Sequence, residues 1–305
     1  MTFDLKHLCL ALALAGLPTL SLAQNAPAAA QQAAGITVLA SLPVTHALAS
    51  ALLDGTAVKL QRAAPANIPA SRQPSYFSGR GGASLQKAAS QADAVIALRS
   101  IWSDDPLYPV ARRSNIRIVE IDAARPVDGA LPGIAVQGNN AFAAYPWLNP
   151  SNFGRMADVL ANDLGRLSPG EQPKIQANLA SLKRQLLELS AGSEARLAEA
   201  DNLSVVNLSD RLDYLISGLN LDLIDHPRVA DDQWDAAALK RLGDELKGQD
   251  VALVLHHKQP SEEVAQVIAA SGAKLVVVDT DPQDTLVGLK ASVEQVVGAL
   301  VAGNS

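Results

Sequence analysis

Short apolar runs alternate with longer stretches of helical spacing along most of this chain. ITVLASL (36–42) predicts a strand, 45–53 a helix and AVKLQRA (57–63) a second strand. An irregular Pro/Gly/Ser segment (64–82) follows. Beyond it come a helix over 83–92, the strand AVIALRS (94–100), a helix near 106–114 and the strand RIVEID (117–122). Residues 151–165 read as a helix opened by Pro150-Ser151. A longer helix runs from about Pro169 to Ala200, with Ile175, Leu179, Leu182, Leu186, Leu189 and Leu197 at helical spacing. The alternation then restarts: SVVNL (204–208) with a helix near 210–218, and LDLID (221–225) with one over 235–247. VALVLHH (251–257) precedes a helix over 261–271, and AKLVVVD (273–279) precedes a final one over 284–302.

Alternation of this kind implies parallel sheets with helices on their faces. The predicted class is α/β: two lobes with mainly parallel sheets joined by one long spine helix. The N-terminal lobe spans 36–165, the linking helix 166–202 and the C-terminal lobe 203–305. About 30 helical residues reach about 45 Å, longer than one small lobe. A ligand cleft is expected between the lobes, where strand ends meet.

The chain has 305 residues, 48% of them apolar and 18% charged, enough for two cored lobes without disorder. Its start reads as a secretory signal (1–23). Lys6 and His7 precede an apolar run from Leu8 to Leu17, Pro18 breaks it, and Ser21-Leu22-Ala23 offers small residues before Gln24. That run is shorter than the roughly 20 residues a membrane span needs, so the mature protein is expected in the periplasm with no membrane insertion. Residues 24–35 read as a flexible leader. The one cysteine, Cys9, lies in the signal, which leaves the mature chain without disulfides or thiolate metal ligands.

Net charge is −6 and unevenly spread. An acidic chain is a poor nucleic-acid binder, and no nucleic-acid partner is expected. From Gln24 to Trp147, however, ten Lys and Arg stand against seven Asp and Glu. Eight of the ten aromatic residues of the mature chain lie between Tyr76 and Phe153: Tyr76, Phe77, Trp102, Tyr108, Phe142, Tyr145, Trp147 and Phe153. Arginines 72, 80, 99, 112 and 113 interleave with several of them. Guanidinium groups pair with planar anions and stack on rings, so Arg72, Tyr76, Arg99, Trp102 and Tyr145, in loops or at strand ends, are candidate ligand contacts. The competing reading is structural: Trp147 and Phe153 as core, Arg112-Arg113 as complements to a helix dipole.

No nucleophile elbow, thiol or Walker-type loop is present. SGRGGAS (78–84) lacks the preceding strand and the lysine of a phosphate loop. An enzyme is not expected.

Four stretches carry a resemblance to a known family: ITVLASLPVTHALASALL (36–53), YPWLNPSNFGRMADVLANDL (145–164), the spine with Pro169 and Asn178, and GAKLVVVD (272–279). Together they resemble the zinc/manganese-type periplasmic solute-binding proteins of ABC importers, over nearly the whole mature chain. The resemblance implies an importer permease and ATPase as partners and a metal held by three histidines and one carboxylate. Only Asp279 stands where the family puts its carboxylate. Tyr145 replaces the histidine of "PHxWLDP", Ser209 that of "HxxFxYF" in SDRLDYL (209–215), and Asn67 or Ile68 falls where the "DPHxYxxxP" histidine belongs.

Neutral hydroxyls are weak metal ligands, and a phenol starts near pKa 10. Two site readings therefore stand. One is a rebuilt metal site on Asp279 and His257, at the end of the His256-His257 strand, with His46 or His226 as a third ligand. The other, favoured, is a metal already wrapped in a chelator, such as a ferric siderophore. It would be met by Asn67, Arg72, Tyr76, Arg99, Trp102, Tyr145, Ser209 and Arg211. The transported ligand is accordingly a divalent metal or a ferric chelate, with no certain cofactor. The alternative function is a non-transport periplasmic helper that contacts a second binding protein or the importer.

Overall fold

The computed structural model describes residues 35–126, 132–136 and 142–302. The expected signal segment lies outside the described residues, as does the leader up to residue 34. Two four-stranded, all-parallel sheets organise the chain. The first runs in the order β2-β1-β3-β4, from β1 (Thr37–Ala40), β2 (Lys59–Arg62), β3 (Ala94–Ala97) and β4 (Val119–Asp122). The second runs β6-β5-β7-β8, from β5 (Ser204–Asn207), β6 (Asp222–Asp225), β7 (Leu253–His256) and β8 (Lys274–Val277).

Strand chemistry matches position in each sheet. The central strands AVIA, SVVN and LVLH are buried at every residue, whereas the outer strands KLQR, VEID and DLID carry charges and stay part-exposed. A parallel strand covered on both faces needs a continuous apolar run, and a charged edge strand resists pairing with another chain.

Ten helices accompany the sheets among the described residues: α1 (Pro43–Leu53), α2 (Gln73–Ser78), α3 (Gly82–Ala89), α4 (Leu107–Ser114), α5 (Pro150–Leu167), α6 (Gln172–Leu197), α7 (Asp213–Gly218), α8 (Ala236–Gly248), α9 (Glu262–Ser271) and α10 (Thr285–Val301). The 26 residues of α6 span about 39 Å at 1.5 Å per residue. This helix packs against α1, α5 and α10. Asn178 pins it to the first lobe, its Nδ2 donating to the carbonyls of Leu52 and Asp54 at 2.8 Å each. Lys290 Nζ donates to Gln185 at 2.8 Å, and Arg196 pairs with Glu294, tying the same helix to α10. One apolar cluster runs from Val38 and Ile96 of the first sheet through Ile175, Leu182 and Leu186 to Val205, Leu255 and Val297.

One stretch departs from the sequence reading. Residues 64–82 are not irregular throughout: a 3-10 turn (Ala70–Arg72) leads into α2, with Pro74 in the first helical turn, where its fixed φ fits. Gln73 is buried and its Nε2 donates to the carbonyl of Ser41 at 3.1 Å, fastening the segment to the end of β1. The glycines of SGRGGAS have a steric role: a Cβ at Gly81 would lie 2.2–2.6 Å from the Tyr76 ring, and one at Gly82 2.8 Å from the Phe77 carbonyl oxygen. No helix among the described residues is long and apolar enough to cross a membrane.

Candidate functional site

Each sheet reverses strand order beside its first strand, between β1 and β3 and between β5 and β7, and the crevice beyond such a reversal is where open α/β sheets bind ligands. Residues from both lobes meet there around a cleft of about 270 Å³. Leu42, Pro43 and Val44 enter from the end of β1, Asn67 to Ala70 from the loop after β2, and Thr280, Asp281, Pro282 and Thr285 from the loop after β8. Phe142, Tyr145 and Trp147 form the aromatic wall.

The WLNPSN stretch builds that wall. Asn149 caps α5, its side chain accepting from the backbone N–H groups of Ser151 and Asn152. Asn152 donates from Nδ2 to the Pro146 carbonyl at 3.1 Å and to the Ala135 carbonyl at 3.0 Å. Trp147, buried, is tilted against the Tyr145 ring at 4.8 Å and against Phe142 at 5.4 Å, and Phe142 stacks on Trp102 at 4.6 Å. Tyr145 itself has φ +52°, a left-handed backbone that disfavours a bulky side chain by about 1–2 kcal/mol. Strain of this size concentrates at functional positions. Here it turns the phenol across the cleft.

That phenol donates to Oδ1 of Asp281 at 2.8 Å. The other carboxylate oxygen accepts from Nη1 of Arg211, which also donates to Oγ1 of Thr280 at 3.0 Å, and the guanidinium lies 4.9 Å from the centre of the Tyr145 ring. One cation, one anion and one phenol therefore join the lobes. Burial, then the Asp281 charge, pushes the Tyr145 hydroxyl well above its ordinary range, so it stays protonated as a donor.

The remaining expected site residues are distributed as follows. Ser209, buried, contacts Nδ1 of His257 at 2.7 Å. Burial, aided by the Arg211 charge, lowers His257 to about 4, leaving it neutral. Asp279 is exposed and its Oδ1 accepts the backbone N–H of Asp281 at 3.0 Å, shaping the turn. Asn67 lines the cleft and also an adjoining hollow of about 460 Å³ with Arg72, Ser75, Tyr76 and Arg80, where the Arg80 guanidinium lies 5.6 Å from the Tyr76 ring centre. Trp102 supports the wall from behind through Phe142. Arg99 points elsewhere, pairing with Glu120 at 3.2 Å and lying 5.9 Å from the Tyr108 ring.

Among the other histidines, His46 on α1 is half-buried and lowered by that burial, then by Arg62. Both ring nitrogens of His226 face carboxylates, those of Asp210 and Asp213. Asp281 and Thr280 were not among the residues singled out from sequence. The acidic run DTDPQD (279–284) after the last strand was the available signal.

As a metal site the cleft fits poorly. Its carboxylate already holds a guanidinium, its phenol stays protonated, and Nδ1 of His257 is engaged by Ser209.

Two parallel α/β lobes fastened by a long helix, with a cleft at their strand ends, are the fold of the metal-binding solute-binding proteins of ABC importers. The chain belongs to the family described as the periplasmic zinc-uptake complex component A, whose model matches residues 83–291, more than half of the sequence. Such proteins are binding components and not enzymes.

Solved structures agree in fold. ZnuA is 21% identical with a TM-score of 0.64, over 87% of this chain and 98% of that one. A mutant of the Pseudomonas aeruginosa protein FpvC is 20% identical with a TM-score of 0.68, over 88% of this chain and all of that one. The laminin-binding protein Lmb of Streptococcus agalactiae, a bifunctional adhesin and metal transporter, is 16% identical with a TM-score of 0.64, over 87% and 100%. No curated protein matches the sequence.

Proposed function

We propose that this chain is the periplasmic solute-binding component of an ABC importer that takes its metal as a chelate, bound in the inter-lobe cleft, and hands it to the importer's permease and ATPase. The observation that carries this reading is the Arg211 guanidinium, a resident cation bonded to the cleft carboxylate where a bare ion would need that charge. A chelate brings its own metal ligands and asks only for shape, aromatic faces and charge complementarity. The aromatic wall of Phe142, Tyr145 and Trp147 supplies the faces, and Arg72 and Arg80 in the adjoining hollow supply positive charge for an anionic complex such as a ferric siderophore.

Calorimetric titration tests the reading, with ferric hydroxamate and catecholate chelates in one series and Zn²⁺, Mn²⁺ and Fe²⁺ in another. One-to-one binding of a ferric chelate, weakened by Arg72→Ala, is the expected result. Bare-ion binding that His257→Ala or Asp279→Ala abolishes would show a rebuilt metal site and refute it. The direct contact of Tyr145 and Arg211 through Asp281, made by the lobes' own side chains, favours one second reading, a non-transport helper that docks on another binding protein or on the importer. Failure of every chelate to bind, with co-purification of such a partner, would select it.

A further inference from the structure

Resting on the chelate reading, we propose that the solute is an anionic aryl chelate of the catecholate type, held partly in the cleft and partly in the hollow beside it. The two spaces adjoin, since Asn67, Ile68 and Pro69 line both. The cleft measures about 270 Å³ and is walled mainly by apolar and aromatic side chains, among them Leu42, Val44, Phe142 and Trp147. Sites for drug-sized molecules run from about 300 to 1,000 Å³, so a guest of that size that enters the cleft extends past Asn67 into the hollow of about 460 Å³.

The hollow is built by α2 and the glycine-rich turn after it. Arg72 and Tyr76 stand four residues apart, the spacing that brings side chains together along a helix. The N–H groups of Gly79 and Gly81 both donate to the Tyr76 carbonyl, at 3.3 and 2.9 Å, which wraps the turn around that residue. Because Gly81 has no Cβ, the Tyr76 ring lies directly on the turn; a Cβ there would sit 2.2 Å from it. Arg80, between the two glycines, rests over the same ring with its guanidinium 5.6 Å from the centre. SGRGGAS thus fixes an aromatic ring and a cation side by side, a use unlike that of a phosphate loop.

Charge separates this hollow from an ordinary polar surface. Arg99, Arg196 and Arg211 each hold a carboxylate, whereas Arg72 and Arg80, both exposed, hold none among the described residues. A guanidinium stacked on a ring keeps its N–H edge for a planar anion. In the cleft, Arg211 already neutralises Asp281, which lowers the repulsion an anionic guest would meet there.

These features discriminate between chelator classes. A hydroxamate brings a single negative charge per bidentate group, so a full set only neutralises ferric iron. A catecholate brings twice that charge and leaves the complex strongly anionic. Its oxygens sit on a flat ring, so the same group offers a face to the aromatic wall and an anionic edge to Arg72 and Arg80. An aliphatic hydroxamate offers neither.

The test is calorimetric titration with the ferric tris-catecholate of dihydroxybenzoylserine and with ferrichrome, an uncharged trihydroxamate. Both are titrated into the wild-type chain and into the double variant Arg72→Gln, Arg80→Gln, at low and at raised salt. The catecholate should bind at least about tenfold more tightly than ferrichrome, and the double variant should lose about tenfold for the catecholate alone. Raised salt should weaken the catecholate and leave ferrichrome unchanged. Both arginines are exposed, so the variant keeps its fold, which a circular dichroism melt verifies. Ferrichrome binding as tight as that of the catecholate, or catecholate binding untouched by the double variant, overturns this assignment and leaves the chelate reading standing. Binding of neither complex overturns both.

Discussion

If Tyr145, Arg211 and Asp281 act as one latch between the lobes, removing two of them together must cost less than the sum of the separate losses. Tyr145→Phe deletes one hydrogen bond to a carboxylate, nominally about 1.5–3 kcal/mol. The Asp281 side chain is 60% exposed, and solvent screening brings the expected loss down to about 1 kcal/mol. Arg211→Met deletes the ion pair, the Thr280 contact and the guanidinium–ring contact, the last worth about 0.5–1 kcal/mol at a partly exposed site. The total for this variant is about 1–2 kcal/mol.

Both variants act on one carboxylate and one ring, so the double variant should fall short of additivity by about 0.5 kcal/mol or more. Urea unfolding of the four proteins reads this directly, provided the denaturant slope stays constant. The ion-pair part should shrink as salt is raised, since a half-exposed pair is screened within about 10 Å at 0.1 M. Losses that add within about 0.3 kcal/mol, or no loss at all, would show that the three groups do not act as one latch.

Two further outcomes follow from burial. Asp105 is almost fully buried, and that burial lifts its carboxyl to about 6 even though Leu98 and Leu107 donate backbone N–H groups to it. The folded chain then holds this proton more tightly than the unfolded one, so stability falls as pH rises from about 4 through about 6, by at most about 3 kcal/mol. Asp105→Asn should flatten that part of the stability profile, and parallel profiles for the two proteins would contradict the assignment. Phe153 on α5 is fully buried in the cluster that both lobes share, so Phe153→Ala should cost about 3–5 kcal/mol in chemical denaturation; a loss below about 1 kcal/mol would mean the cluster collapses around the gap.

Much of the architecture was readable from local pattern. Apolar tetrapeptides such as AVIA and LVLH, buried on both faces, announce central parallel strands, and the leucine spacing from Ile175 to Leu197 announces a helix longer than one lobe. The enrichment of aromatics and arginines in the first half, and the replacement of expected histidines by Tyr145 and Ser209, likewise belong to the sequence alone.

Side-chain direction at the strand ends did not. Asp279 and Asp281 are two residues apart, yet one shapes a turn and the other receives the phenol and the guanidinium. Arg99 and Arg211 both follow strands, yet Arg99 turns to Glu120 while Arg211 enters the cleft. The trio of Asp210, Asp213 and His226 exists only because β5 and β6 pair in parallel. Hydrophobic period and turn chemistry act over a few neighbouring residues and so determine where strands and helices form. The partners that a loop's polar groups find come from segments distant in sequence, through hydrogen bonds and charge contacts that only the packed chain creates.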